Sequence, residues 1–329
     1  MDTFDRLRQF EILAHFSDYQ IEQLADCTSR VHYPEGTVVL KEGERTRDIY
    51  LVDVGEIHIQ RNTPYGRYTL AQLKAGDVFG ETSFIDEYAR SGDAVIKVDT
   101  VLFPINPSAL TPMIENDHRF ILAIHWALWK SLSRKLRKTN ESLAKFFSKA
   151  GSKIPEEISS KSKADDFHVA VSAKQALFRE QKLSPLEINF LATLSKEERI
   201  SPNEYIFREG EEGDRMYVVL EGQVMISKQI VGAGEEALAF LERGDYFGEM
   251  ALIDLQPRSA DARAHDTGAV VLSISQEVLK GILDIQKVSS IRLLRLLCSL
   301  VAERLREVND KLVGWFIFAA GSGESLDAS

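Results

Sequence analysis

Hydrophobic and polar positions alternate over short runs in two separate stretches of the chain, and Gly or Asp residues break the runs. This alternation is typical of half-buried antiparallel strands. Ahead of each stretch a serine, Ser17 or Ser184, is placed to cap a short helix. The pattern predicts two α+β units, each an antiparallel roll or barrel with flanking helices. The predicted strands are TVVLKEG, DIYLVDVGEIHI, YTLAQL and AVIKVDTVLF in the first stretch, and YIFREG, RMYVVLEGQVMI, ALAFL and AVVLSI in the second.

Each set of strands is followed by a long run with apolar residues three and four positions apart. This spacing predicts a long closing helix with one continuous stripe. The stripe either packs on the helix's own domain or pairs the two closing helices with each other, within one chain or in a homodimer. The stripe positions are Leu122, His125, Trp129, Leu132, Leu136, Thr139, Leu143 and Phe146 in the first run, and Ile291, Leu294, Cys298, Val301, Leu305, Val308, Leu312 and Trp315 in the second.

The two stretches are copies of one unit, because equivalent residues keep an almost constant separation. Gly43 and Gly210 are 167 residues apart (210 − 43), and Leu136 and Leu305 are 169 apart (305 − 136). Only two single-residue insertions therefore distinguish the copies. A polar segment rich in Ser and Lys lies between them and predicts a linker. The predicted limits are 1–147 for the first domain, 148–172 for the linker, 173–318 for the second domain and 319–329 for a tail.

Composition excludes several classes of function. The 329 residues carry a formal net charge of −10, which argues against binding a nucleic-acid backbone. Two cysteines without close spacing and seven histidines without paired spacing predict neither a disulfide framework nor a metal site. No nucleophile with a nearby base stands out, so we expect no enzymatic activity. No signal peptide or membrane-spanning run is recognisable, so a cytoplasmic location is expected.

The most specific repeat consists of FGETSFIDEYARSG, Phe79 to Gly92, and FGEMALIDLQPRSA, Phe247 to Ala260. We call these segments cassette A and cassette B. In each, a glycine lets the backbone approach a ligand, and the next residues offer free N–H groups. An arginine nine positions after the glutamate suits a phosphate, whereas the glutamate suits a sugar hydroxyl. Phosphate and sugar in one site describe a nucleotide, so each copy is predicted to hold a nucleotide pocket.

The cassettes resemble the phosphate-binding segment of cyclic nucleotide-binding domains, F-G-E-x-x-L-x-x-x-x-x-R-[A/S/T]-A, as in cyclic-AMP-dependent protein kinase regulatory subunits and the catabolite activator protein. Cassette B matches every fixed position, whereas cassette A has Phe84 for the leucine and Gly92 for the final alanine. The resemblance implies two tandem jelly-roll domains, each with a long C-terminal helix. It also implies that the glutamate binds the ribose hydroxyl and the arginine the cyclic phosphate. The implied ligand-binding residues are Gly80, Glu81, Thr82, Ser83, Arg90 and Ser91, and Gly248, Glu249, Met250, Ala251, Arg258 and Ser259.

The same resemblance suggests which residues contact the base. Thr139 and Val308 align with the position at which the activator protein contacts adenine, and Asn140 and Asn309 follow them. Asparagine offers a donor and an acceptor, so it could read a purine edge. The alternative is that both asparagines are solvated. If Thr139 and Val308 face the ligands, the two pockets differ from each other.

Asp93 and Asp261 put a carboxylate three residues after each arginine, where a phosphate would not favour it. Two interpretations remain open at this point. Each carboxylate faces away or orients the arginine, or else the ligand bears an amine or a guanine-like edge.

The expected function is a regulatory protein of signal transduction that senses a cyclic nucleotide, with cyclic AMP ahead of cyclic GMP. The resemblance implies that ligand binding rearranges the long helices, which an unidentified effector protein recognises. No built-in effector is expected, since neither a DNA-binding segment nor a kinase inhibitor sequence is recognisable. The alternative is an interaction scaffold in which one or both pockets are degenerate or bind another nucleotide-like ligand, most of all at cassette A.

Overall fold

The computed structural model describes residues 2–148, 168–230, 234–283 and 291–321. Most of the predicted linker and most of the predicted tail lie outside these ranges, so those two predictions have no structural counterpart here. Within the described ranges the chain forms two antiparallel sheets flanked by helices, and the predicted α+β class is confirmed.

The first copy contains five α-helices, one short 3₁₀ helix (Glu11–Leu13) and six strands among its described residues. The helices are α1 (Thr3–Leu7), α2 (Asp18–Asp26), α3 (Glu81–Asp86), α4 (Pro107–Asn116) and α5 (His118–Ser148). The strands are β1 (Val31–Tyr33), β2 (Val38–Leu40), β3 (Ile49–Thr63), β4 (Gly66–Lys74), β5 (Val78–Phe79) and β6 (Asp93–Ile105). The sheet has the order β1-β6-β3-β4, while β2 pairs with β6 and β5 pairs with β3.

The second copy repeats this arrangement. Its described helices are α6 (Val171–Glu180), α7 (Pro185–Leu194), α8 (Met250–Asp254), α9 (Gln276–Ile282) and α10 (Ile291–Gly321). Its described strands are β7 (Lys196–Ile200), β8 (Tyr205–Phe207), β9 (Arg215–Ile230), β10 (Gly234–Leu241), β11 (Tyr246–Phe247) and β12 (Asp261–Ser275). The order β10-β9-β12-β7 matches that of the first copy strand for strand, with β8 on β12 and β11 on β9. We call the two sheets roll A and roll B.

The predicted helix caps are confirmed. Ser17 accepts a hydrogen bond from the backbone N–H of Gln20, and Ser184 accepts one from that of Glu187. In both cases the third residue of the helix bonds back to the cap, which completes a capping box.

Contacts between residues divide the chain into two compact units. The first comprises Met1–Thr139 together with Val301–Ser329, and the second comprises Asn140–Leu300. The C-terminal part of α10 therefore belongs to the same unit as roll A. The domain limits given by the sequence stay a prediction. The apolar stripe of α10 is buried at Leu294, Cys298, Val301, Leu305, Val308 and Leu312. Whether it pairs with the stripe of α5 stays a prediction.

A glycine is required at Gly222, where β9 passes very close to the backbone of β12. Gly222 has φ +76°, and a Cβ there would lie 2.1 Å from the carbonyl oxygen of Gly268. Gly210 has φ +84° but nothing within 4 Å of its Cβ position. The two positions share the left-handed backbone and differ only in this steric contact.

We expect Gly222→Ala to destabilise the protein by roughly 1–3 kcal/mol more than Gly210→Ala does, because only the former must displace backbone. Urea unfolding of the two variants and the parent measures the difference. Equal losses of stability would show that the close approach of β9 and β12 is unimportant.

Candidate functional site

Each cassette begins at a left-handed glycine that leaves no room for a side chain. Gly80 has φ +86°, and a Cβ there would lie 2.4 Å from the carbonyl oxygen of Asp48. At Gly248, with φ +76°, the Cβ would lie 2.7 Å from Nη1 of Arg258. The short helices α3 and α8 follow. The first N–H groups of a helix have no acceptor within it, and in α8 the N–H of Leu252 donates to the carbonyl oxygen of Glu249 at 3.1 Å. The predicted residues Thr82, Ser83, Met250 and Ala251 lie in these first turns.

Arg90 extends into roll A and is only 4 % exposed. Its Nη1 donates to the carbonyl oxygen of Gly80 and its Nη2 to that of Asp48, both at 2.8 Å. Its Nε donates to Oγ1 of Thr46 at 3.1 Å. Burial lowers the pKa of the Arg90 guanidinium, because the cation has lost its water. The partners are thus neutral oxygens, and the charge itself has no salt-bridge partner in the described chain.

Arg258 occupies the equivalent position in roll B and is 5 % exposed. Nη1 donates to the carbonyl oxygen of Gly248 at 2.6 Å, and Nη2 to that of Arg215 at 2.8 Å. The guanidinium carbon lies 4.2 Å from the ring centre of Phe207, a cation–π contact. Burial again lowers the pKa of the guanidinium.

The two arginines differ at Nε. The Nε–H of Arg258 is buried and has no hydrogen-bond partner among the residues that the structure describes. The counterpart of Thr46 is Gly213 (213 − 46 = 167), which has no hydroxyl to offer. A Cβ at Gly213 would lie 2.8 Å from Cζ of Arg258 and 2.6 Å from Cβ of Ala251. Glycine therefore lets this loop approach the arginine and leaves one buried donor open.

The glutamates are the most deeply buried acidic groups of the cassettes: Glu81 is 1 % exposed and Glu249 is 2 % exposed. The carboxylate of Glu81 accepts a charge-assisted hydrogen bond from Nζ of Lys135 on α5, and Oγ of Ser131 lies 3.5 Å from the same oxygen. The closing helix of the first copy thus neutralises the glutamate that is predicted to bind a sugar hydroxyl. Sequence reasoning missed Lys135, because only the folded chain brings it to Glu81.

The predicted serines mark a third repeated feature. The carbonyl oxygen of Ser91 accepts a hydrogen bond from Nε of Arg61 at 2.6 Å, and that of Ser259 accepts one from Nζ of Lys228 at 3.2 Å. Arg61 and Lys228 are equivalent (228 − 61 = 167). In each cassette, therefore, a second cation bonds to the residue that follows the arginine. The shared offset was a signal in the sequence that could have identified these residues.

Asp93 and Asp261 are held by hydrogen bonds from backbone N–H groups about 50 residues earlier in the chain. Each accepts the backbone N–H of a glutamate, Glu42 at 2.8 Å and Glu209 at 2.7 Å. Burial raises the pKa of Asp261. This anchoring role accounts for both carboxylates, so they give no reason to expect an amine on the ligand.

The departures of cassette A from the family pattern have structural explanations. A Cβ at Gly92 would lie 2.8 Å from the carbonyl oxygen of Gln60, so β3 approaches too closely for alanine. Phe84 packs against the apolar core formed by the helices and β-strands of the first copy. Both substitutions therefore fit the packing of roll A and do not by themselves indicate a degenerate pocket.

The candidate base-contacting residues are all buried. Thr139 donates its hydroxyl to the carbonyl oxygen of Lys135 at 2.9 Å, and Val308 is 3 % exposed. Asn140 and Asn309 are 5 % and 8 % exposed, so neither is a solvated side chain. Their Oδ1 atoms have no hydrogen-bond partner within the described ranges. Asn309 belongs to the compact unit of roll A and Asn140 to that of roll B.

We expect Lys135→Met to destabilise the protein by roughly 3–5 kcal/mol, because it leaves the buried Glu81 carboxylate without its cation. Adding Glu81→Gln to Lys135→Met should restore most of that loss, since no uncompensated charge then remains. Chemical unfolding at neutral pH compares the parent, the single variant and the double variant. A single variant as stable as the parent, or a double variant less stable than the single one, contradicts the pairing.

Both copies of the unit match one known protein family. Residues 30–117 and 197–286 match the cyclic nucleotide-binding domain family. The cGMP-dependent protein kinase egl-4 of Caenorhabditis elegans is 24 % identical over 274 residues, which is 83 % of this chain and 29 % of the kinase. The cAMP-dependent protein kinase regulatory subunit of Pyricularia oryzae is 30 % identical over 122 residues, 34 % of this chain and 30 % of that protein. The chain thus spans about a third or less of the length of these relatives.

Among solved structures, the regulatory domain of Toxoplasma gondii PKA with cAMP is similar, with a TM-score of 0.32 and 18 % identity, covering 89 % of this chain and 93 % of that one. A cyclic nucleotide-binding domain from Methylobacillus flagellatus gives a TM-score of 0.41 and 22 % identity, covering 47 % of this chain and 86 % of that one.

The described residues also bear on the expectations about membranes and metals. None of the helices in the described ranges has the length and apolar character needed to cross a membrane. The same ranges contain no group of three or more His, Cys, Asp or Glu side chains placed to hold a metal ion.

Proposed function

Because the chain belongs to the cyclic nucleotide-binding domain family, we propose that it is a regulatory receptor with two cyclic mononucleotide pockets. Pocket A comprises Gly80–Ser83, Arg90 and Ser91, and pocket B comprises Gly248–Ala251, Arg258 and Ser259. Cyclic AMP is the preferred ligand, and cyclic GMP is the second candidate. The chain itself binds and signals, and catalysis belongs to whatever partner it regulates.

The observation that carries this proposal is the buried guanidinium of Arg258. It is almost fully removed from water, burial lowers its pKa, and its Nε–H has no partner in the described chain. A buried cation whose direct hydrogen bonds go to neutral oxygens is costly even with carboxylates such as Glu249 nearby, and an anion that accepts from it relieves this cost. A cyclic phosphate supplies both the charge and an acceptor oxygen.

The glutamate in each pocket makes the site selective for a nucleotide over free phosphate. A carboxylate only accepts hydrogen bonds, so a buried one favours a hydroxyl donor such as the ribose 2′-hydroxyl. Glu81 keeps this capacity beside Lys135, since a carboxylate accepts up to about four hydrogen bonds. Phosphate and hydroxyl must then be held at one fixed separation, as they are in a cyclic mononucleotide.

The preference for cyclic AMP rests on the resemblance to cyclic-AMP-dependent regulatory subunits and the catabolite activator protein. Curated relatives include cGMP-dependent and cAMP-dependent proteins, and both ligands therefore enter the tests. These relatives also suggest a protein kinase as the class of effector. In our proposal, ligand binding at a cassette favours one arrangement of the long helices α5 and α10, and the effector recognises that arrangement.

The two pockets differ in affinity, with pocket B the tighter. Arg258 offers an open Nε–H, whereas Arg90 already donates its Nε–H to Thr46. Ligand in pocket B gains a hydrogen bond without breaking one. Ligand in pocket A must use the remaining N–H groups or displace the threonine.

Calorimetric titration with cyclic AMP and cyclic GMP should show two sites of unequal affinity. Arg258→Ala should remove about 2–5 kcal/mol of binding free energy from the tighter site, because the bound phosphate then lies unpaired. The matched control is Arg90→Ala, which should affect only the weaker site. One site in the parent would indicate a mixed protein with one degenerate pocket. No binding by the parent supports the scaffold alternative, and parental affinity in Arg258→Ala would remove the phosphate assignment.

We further propose that Asn309 contacts the base in pocket A, since its buried Oδ1 lacks a partner in the described chain and it lies in the compact unit of roll A. In an Arg258→Ala background, Asn309→Ala should lower the affinity for cyclic AMP by about 1–2 kcal/mol through loss of a buried hydrogen bond. Asn140→Ala, which belongs to the other unit, is the control and should leave pocket A unchanged.

A cyclic ribose phosphate without a base provides a second control for Asn309. It should bind equally to the parent and to Asn309→Ala, because no base edge is present. An Asn309→Ala variant that binds cyclic AMP as tightly as the parent would exclude Asn309 from base recognition.

A further inference from the structure

The C-terminal part of α10 contacts cassette A through one arginine. Nε and Nη2 of Arg306 donate to the two carboxylate oxygens of Asp86, at 2.6 and 3.1 Å. Nη1 donates to the carbonyl oxygen of Ala89 at 3.0 Å, and Nη2 also lies 3.3 Å from Oγ of Ser83. The Arg306 side chain is 17 % exposed and that of Asp86 is 7 % exposed. This is a largely buried, bidentate ion pair with two further hydrogen bonds.

These contacts reach both halves of the cassette. Ser83 and Asp86 lie in α3, whose first turn belongs to pocket A, whereas Ala89 directly precedes Arg90. One guanidinium therefore joins α3 to the residue that precedes the arginine of pocket A. Holding binding groups in place before the ligand arrives increases affinity, because less ordering remains to be done on binding.

A second contact lies one turn further along the same helix. Asp310 accepts a hydrogen bond from Nη1 of Arg61 at 2.5 Å, and Arg61 in turn donates to the carbonyl oxygen of Ser91. The ring of Phe316 packs 5.0 Å from that of Tyr68 on β4. The segment Val301–Gly321 therefore contacts cassette A, Arg61 and the sheet of roll A.

The residue types of the main contact are repeated in the sequence. Asp86 corresponds to Asp254 (254 − 86 = 168), and Arg306 corresponds to Arg137 (306 − 137 = 169). Both members of the pair thus occur in each copy of the unit at the offsets of their neighbours. This repetition indicates that the arginine and the aspartate are regular parts of the repeated domain and not an accidental surface pair.

We propose that Arg306 is a positioning residue for pocket A, which is complete only when the last helix of the chain is docked on cassette A. This inference rests on the proposed function, since it concerns the same pocket. Its consequence follows from thermodynamic reciprocity. If docking of Val301–Gly321 strengthens ligand binding in pocket A, then ligand in pocket A strengthens docking of Val301–Gly321. The end of α10 thereby becomes the element that reports occupancy of pocket A.

The test uses the full chain in an Arg258→Ala background, so that titration with cyclic AMP reports pocket A alone. Arg306→Ala and Asp86→Asn should each lower the affinity by roughly 5- to 150-fold. Either single substitution already breaks the ion pair. The double variant should therefore lose no more affinity for cyclic AMP than the single variant that binds more weakly. Arg306→Lys keeps the positive charge but cannot make the bidentate hydrogen bonds of a guanidinium. Its affinity should therefore lie between those of Arg306→Ala and the background.

Two controls separate positioning from a general loss of structure. Arg295→Ala alters an exposed arginine of the same helix that has no hydrogen bond or ion pair with the described part of the chain, and this variant should bind as the background does. Pocket B, titrated in an Arg90→Ala background, should keep its affinity when Arg306→Ala is added. Equal losses in both pockets, or pocket A affinity unchanged by Arg306→Ala, would overturn the proposal.

Hydrogen exchange gives a readout that does not depend on the affinity itself. Cyclic AMP should slow amide exchange in residues 301–321 of the Arg258→Ala chain and should not do so when Arg306→Ala is added. Unchanged exchange on saturation would contradict the reciprocity. Titration of the unmutated chain distinguishes the two failures: no binding there contradicts the proposed function and this inference together, whereas normal binding with an unaffected Arg306→Ala variant contradicts the inference alone.

Discussion

A buried guanidinium inside each roll is the constraint on which the sites depend. Arg90 and Arg258 are removed from water, and their hydrogen bonds in the described chain go to neutral oxygens. The glycines at the start of each cassette are needed so that backbone carbonyls can reach the cation, because a Cβ there would displace either the carbonyl or the arginine. The fold therefore maintains two cations that a phosphate can neutralise, although the chain as a whole is acidic.

The two copies differ in whether the Nε–H of the buried arginine has a hydrogen-bond acceptor from the described chain. Thr46 supplies an acceptor to Arg90, whereas Gly213 supplies none to Arg258. In roll A the last helix also contributes Arg306 to the cassette. One copy thus relies on internal partners and on a distant part of the chain, whereas the other leaves a donor open. In our proposal, these local differences give the two pockets unequal affinity.

Much of this organisation follows from the sequence, because a repeat at nearly constant offset aligns strands, caps and cassettes at once. The alternating runs correspond to β3, β6, β9 and other strands, and Ser17 and Ser184 form the predicted caps. The strand β7, with the sequence KEERI, was not predicted, because its charged residues show no apolar alternation and only pairing with β12 makes it a strand.

The side-chain contacts between distant segments could not be predicted. Lys135 with Glu81 and Arg306 with Asp86 join residues 54 and 220 positions apart, and no local pattern specifies such pairs. Arg61 and Lys228 could have been identified, because they share the repeat offset and both are basic. Hydrophobic periodicity reveals elements and their faces, whereas site electrostatics depends on which faces meet.

We propose that the open donor of Arg258 holds a cyclic phosphate in pocket B. A crystal structure of the full chain grown with cyclic AMP tests it directly. We expect a phosphate oxygen about 2.7–2.9 Å from Nε of Arg258, with the ribose 2′-hydroxyl on the carboxylate of Glu249. A nucleotide bound with its phosphate away from Arg258, or a saturated crystal with pocket B unoccupied, would contradict the account.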